Sequence, residues 1–136
     1  MLANGATLAY KMTADEAAYK DLPDLKEIPD MGTEAEKVEN TGLTDKNMQY
    51  ENGIGALGDM VYKFKYKNTP TSAYRLMREL QKSGKTAFFQ ETLPDGTVTE
   101  FEAQVSVKRT GGGVNGVIDC DVTMLVQSDL EVTDPA

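Results

Sequence analysis

Residues 58–84 read GDMVYKFKYKNTPTSAYRLMRELQKSG, and the change of period inside this stretch decides the fold. Met60, Tyr62, Phe64 and Tyr66 alternate with Val61, Lys63, Lys65 and Lys67. Successive side chains of a strand point to opposite faces, so this is a strand with one core face and one largely solvated face. Beyond it Ala73, Leu76, Met77 and Leu80 fall at i, i+3, i+4 and i+7, a single apolar stripe on a helix laid against a sheet. Asn68 or Thr69 is the predicted cap, Pro70 lies in the first turn, and Gly84 is the stop.

Outward from this unit the pattern stays β. Residues 86–93 and 97–109 predict two strands joined by Pro94-Asp95-Gly96, a strong turn signal. In the second of them Phe101, Ala103, Val105 and Val107 share a face, with Glu100, Glu102, Gln104 and Ser106 opposite. A turn over 111–116 leads to a last strand over 117–127, where Ile118, Cys120, Val122, Met124 and Val126 share a face. The acidic tail 128–136 is expected to be mobile unless it docks on a neighbour.

On the N-terminal side, 7–11 predicts a short strand, and 12–19 reads either as a helical turn capped at Thr13 or as a loop. Pro23 and Pro29 confine 25–28 to an extended piece at a sheet edge. A strand is predicted over 34–41, after which glycines 42, 53, 55 and 58 mark flexible joints in a polar excursion over 42–57. The fold class that results is mainly β, a sandwich or barrel of antiparallel strands with one flanking α-helix, as a single domain over 1–136.

Composition narrows the function. A chain of 136 residues with 40% apolar and 26% charged residues can bury one core without disulfides. No run approaches the about 18 apolar residues of a membrane span, and the N-terminus lacks a basic start and an apolar signal core. These features predict cytoplasmic synthesis without membrane contact. The single Cys120 agrees with a reducing compartment and, among apolar neighbours, reads as a buried small hydrophobe. A net charge of −8 argues against affinity for nucleic acid or an anionic membrane surface.

Catalytic apparatus is missing from the pattern. The chain has no His, the lone Cys therefore has no His partner, and glycines 111–113 are not followed by the Lys-Ser/Thr of a phosphate loop. Asp119 and Asp121 point to one strand face and could in principle hold a divalent cation, but no calcium-loop pattern accompanies them, and a solvated acidic stripe is the better reading. Tyr62, Phe64 and Tyr66 with Lys63, Lys65 and Lys67 do not make a platform for single-stranded nucleic acid, because rings and lysines face opposite ways. No enzyme activity, metal or cofactor is expected.

Three short elements in order carry a resemblance. They are LKEIPD at 25–30, an acidic strand ending in TGLTD at 41–45, and the aromatic strand after Gly58-Asp59; the LPDG hairpin at 93–96 continues the series. With this order, over roughly 8–128, the chain resembles the tail tube proteins (major tail proteins) of long-tailed, non-contractile bacteriophages. The resemblance implies a hexameric ring whose inner wall is one continuous antiparallel barrel, with rings stacked into a tube through which DNA passes unbound.

It further implies that the loop after the first strands, here 42–57, reaches the adjacent ring. Leu43, Met48, Tyr50 and Ile54 are the apolar residues expected to anchor it. By the same resemblance the partners are other copies of the chain, a tape-measure protein, a tail terminator and distal tail or baseplate proteins, and the location is the virion tail. An acidic wall repels phosphates and leaves the polymer free to slide. The candidate lumen carboxylates are Glu100, Glu102, Asp119 and Asp121, although alternation alone leaves open which face lines the lumen. Two other readings stand beside this one: a tube protein of a phage-tail-like bacteriocin or type VI-like injection device, and a monomeric β-sandwich binding module.

Overall fold

A computed structural model describes residues 1–14, 18–39, 41–43, 50–57 and 60–135, with the backbone alone for 33–39 and 50–57. In chain order the elements are β1 (Thr7–Lys11), β2 (Lys20–Asp21), β3 (Leu25–Glu27), β4 (Thr33–Glu39), β5 (Tyr50–Leu57), β6 (Met60–Lys65), α1 (Ala73–Ser83), β7 (Ala87–Thr92), β8 (Val98–Thr110), β9 (Asp119–Val126) and β10 (Glu131–Thr133). Eight of the strands form one antiparallel sheet in the order β2-β1-β7-β8-β9-β6-β3, with β10 on β8.

The two end strands of this path, β2 and β3, are only three residues apart in the chain. One segment therefore pairs with β1 on one side and β6 on the other, and the sheet curls until its ends meet. Leu22 N–H donates to Leu8 O at 2.9 Å, and Lys65 N–H donates to Asp24 O at 2.9 Å, so the hand-over is hydrogen-bonded on both sides. Asp24 makes the bend with φ 65°, a left-handed conformation that Asp tolerates better than most residues. The predicted edge piece at 25–28 is thus the closing strip of a barrel-like sheet.

The core fills the inside of that curl. Tyr62, Phe64, Phe89, Leu8, Met60, Met77, Met124, Val122 and Cys120 are fully buried. Phe101 stacks on Phe89 and Tyr62 at centroid distances of 5.6 and 6.5 Å. Inside this apolar volume Tyr62 Oη donates to Glu91 Oε2 at 2.5 Å, and burial pushes the Glu91 carboxyl above its ordinary range. Burial also raises the Cys120 thiol to about 11, so it is an inert part of the packing.

Helix α1 lies along β8 with Ala73, Met77 and Leu80 buried and Leu76 partly buried. Its cap is Ser72, not Asn68 or Thr69: Ser72 Oγ accepts from Arg75 N at 3.3 Å and donates to Thr69 O at 2.9 Å. Thr69 and Pro70 belong to the preceding turn, and Gly84 ends the helix with φ 68°. Gln81 Oε1 accepts from Val107 N at 3.0 Å, beyond Ala103 where the pairing of β7 with β8 ends. The helix thereby covers a strand edge that no strand among the described residues reaches. Among the described residues no helix is long and apolar enough to cross a membrane.

Candidate assembly interface

Because side chains alternate, β8 and β9 turn one full row away from the core. The register Lys108↔Asp121 and Thr110↔Asp119 puts Glu100, Glu102, Asp119 and Asp121 on the same outward face. The pairing with β6 adds Lys63 opposite Asp121 and Lys65 opposite Asp119. These four carboxylates are not electrically alike.

Asp119 is buried, and both its oxygens accept from Lys26 Nζ at 3.0 Å. Asp121 stands between Lys63 and Lys108 on the neighbouring strands, and its Oδ1 is buried with no hydrogen-bond partner among the described residues. At this end of the face acid and base are balanced. At the other end Glu100 and Glu102 line a cleft of about 300 Å³ with Lys11, Tyr19, Phe88, Phe101, Asp129 and Glu131. Lys11 Nζ sits 4.6 Å over the Tyr19 ring and 5.7 Å from the Phe88 centroid, and Gln90 Nε2 donates to Glu100 Oε1 at 3.0 Å. Burial first, and then the charges of Glu100 and Glu131, raise the Tyr19 hydroxyl above its ordinary range.

The excursion over 42–57 takes a different form from the loop expected. Tyr50–Leu57 is a strand, paired antiparallel with Thr33–Glu39, and these two make a sheet of their own. Gly53 and Ile54 lie between the pairs Lys37↔Asn52 and Ala35↔Gly55, where the register shifts by one residue. Gly53 thus belongs to a bulge in a strand, which is the other reason for a glycine inside an apolar run. The element is an arm about 25 Å long, as eight extended residues span. Of the four expected anchors, Leu43 is fully exposed, Tyr50 and Ile54 are on β5, and Met48 lies outside the described residues.

The tail also differs from the mobile segment expected. Glu131–Thr133 pairs with β8 through Glu131↔Glu100, Val132↔Thr99 and Thr133↔Val98. Gln127 N–H donates to Glu102 O at 2.7 Å, and Glu102 N–H donates to Ser128 Oγ at 2.8 Å. Strand β9 therefore continues, after a break, as β10 along the same side of β8. Acidic composition suggested solvent, whereas backbone pairing decides the position.

Sequence reasoning missed the Tyr62–Glu91 pair, the Lys26–Asp119 bridge and the place of Lys11 in the cleft. The only sequence signal for them was the alternation that put each residue on its face. Among the described residues no group of three or more His, Cys, Asp or Glu side chains could hold a metal ion.

Neither a protein-family model nor a curated protein matches the sequence. Solved structures do match in fold. The C6-symmetric tail of an empty gene transfer agent particle superposes with TM-score 0.71 at 19% identity, over 94% of this chain and 95% of that one. The anti-feeding prophage baseplate, six-fold symmetrised, gives 0.71 at 12% identity over 94% and 91%. The SPP1 tail tube gives 0.66 at 13% identity over 96% and 77%. An antiparallel sheet with one flanking helix, matched over nearly its whole length, gives this chain the fold of phage-type tail tube structures.

Proposed function

We propose that this protein is the structural subunit of a tail tube: six copies close a ring, rings stack, and the channel conducts DNA out of a virion. The observation that carries this reading is the β4–β5 arm, which leaves a closed, well-packed sheet and pairs with no other strand among the described residues. An isolated two-stranded hairpin is marginal in water. Its ordering cost is offset once it lies on the adjacent ring, with Leu43, Met48, Tyr50 and Ile54 as the anchors.

The fold likeness to a C6-symmetric tail supports the ring. A head-to-tail contact repeated about a closed axis makes such a ring, and stacking it makes a tube. The outward sheet face is the lumen wall in this reading, with Glu100 and Glu102 at its acid-rich end, where Lys11 faces four carboxylates, and Asp119 and Asp121 as acids already balanced by lysines. Tape-measure, terminator and distal tail proteins are the partners at the tube's interior and ends. The tube is a virion component and performs no catalysis.

Negative-stain electron microscopy of the purified protein, concentrated at low and high salt, tests this reading, because salt screens the repulsion among subunits of net charge −8. Rings or tubes with a central hole are the expected result. A particle that stays monomeric at every concentration and salt, also after addition of tail-initiating proteins, would overturn it in favour of a monomeric binding module.

A further inference from the structure

Strand β10 is held unusually lightly. Its three residues are all exposed, Val132 to 58%, so almost no apolar burial fixes it. Glu131 stands directly opposite Glu100, and like charges facing each other across strands are destabilising. Asp129 and Glu102 line the same cleft, where Lys11, already over two aromatic rings, is the one cation among the described residues. Firmer attachments lie before it, at the Gln127 and Ser128 hydrogen bonds to Glu102 and at Leu130, which packs on the core, while beyond it Pro135 only lies close to Gly96 of the hairpin turn.

We propose that the β8 edge at 98–100 is a strand-docking site for a second copy of this chain, and that β10 is a placeholder which the incoming strand displaces. An edge left bare would pair with any exposed strand, so a subunit that must wait to polymerise needs it covered. A cover of three residue pairs, opposed by like charges, protects the edge yet gives way to a strand that sets no acid opposite Glu100. The second copy can supply such a strand: its β4–β5 arm has two outer edges that no other strand pairs among the described residues. This inference rests on the tail-tube reading for the identity of the partner.

A reversible clamp tests it. Glu102 directs both its N–H and its C=O toward the tail, so by alternation Glu100 and Val98 do the same and Thr99↔Val132 is a non-hydrogen-bonded pair. Such pairs bring Cβ atoms close enough for a disulfide, so Thr99→Cys with Val132→Cys should lock β10 in place, and the buried Cys120 should not compete. The oxidised variant is expected to need about tenfold or more higher concentration to assemble than the same protein reduced, read by sedimentation and electron microscopy. Equal assembly of the two forms overturns the proposal.

Hydrogen exchange of the dilute wild-type subunit gives a second reading that does not depend on assembly. The amides of Glu131 and Thr133, which face β8, should exchange through a local opening far faster than that of Ala103 in the same sheet. Protection of β10 equal to the core would refute the placeholder. If wild-type protein forms no ring or tube under any condition, the tail-tube reading falls, and the exchange result alone decides whether β10 opens.

Discussion

Replacing Tyr62 by Phe removes one oxygen atom from the core and little else. The Tyr62 ring stacks near Phe101 and is fully buried, so Phe keeps the packing, while Glu91, only 4% exposed, loses its donor at 2.5 Å. A hydrogen bond to a charged group contributes about 1.5–3 kcal/mol. Unfolding entropy of about 2.1 cal/mol/K per residue over 136 residues then converts this to a fall in Tm of about 5–10 °C.

The sign of the pH dependence follows from Glu91. Burial raises its folded-state pKa above the unfolded value, and the Tyr62 hydrogen bond pulls it partly back. Below the ordinary value of 4.5 both states carry the proton and the group is neutral in its effect; stability is lost as pH rises from there through the folded pKa. Removing the hydroxyl raises the folded pKa further, so the penalty of Tyr62→Phe should be small in acid and full at about pH 8. Thermal unfolding of dilute, unassembled protein across this range is the assay. A Tm equal to wild type at the alkaline end, or a penalty that grows toward acid, would refute the reasoning, and Glu91→Gln should flatten the wild-type dependence.

Two further outcomes are expected. Gly111 has φ 86° and a Cβ there would run into the Val117 carbonyl oxygen, whereas a Cβ on Gly113 meets nothing within 4 Å; Gly111→Ala should therefore cost more than about 1–2 kcal/mol and Gly113→Ala little, with equal losses in urea unfolding counting against the turn geometry. On the tail-tube reading, Glu102→Lys reverses a carboxylate whose directly paired neighbour on β7 is Phe88 and not a lysine, so tubes should still form while DNA ejection slows, and normal ejection would remove this face from the lumen.

Local period made much of the fold legible. The alternation at 60–67 and 98–107 and the stripe of Ala73, Leu76, Met77 and Leu80 report which side is buried, and Pro94-Asp95-Gly96 closes its hairpin with Gly96 at φ 97°. What the sequence hid depends on register. Gly53 reads equally as a joint or as a bulge until Lys37 and Asn52 are seen to pair. Ser72 and Thr69 are both acceptable caps, and the difference is the direction of one hydroxyl. Asp121 looks like a free acid because Lys63 and Lys108, which flank it, come from other strands. The tail paired because β9 leads it along β8, a fact of topology that acidic composition does not carry.

The closing segment at 20–27 has a consequence for when a subunit can act. It must meet β1, near in the chain, and β6, which itself pairs with β9 far downstream, so the seal depends on contacts of long sequence separation. Such topologies fold slowly, because loop-closure entropy is lost before the contacts form. Until the seal is made, the chain exposes the edges of β1 and β6 that this segment would cover, and unpaired edges of this kind invite pairing with other chains. On the tail-tube reading proposed above, this closure would also license assembly: a tube would draw only on subunits that have shut, and its growth would be capped by how fast new chains complete the seal.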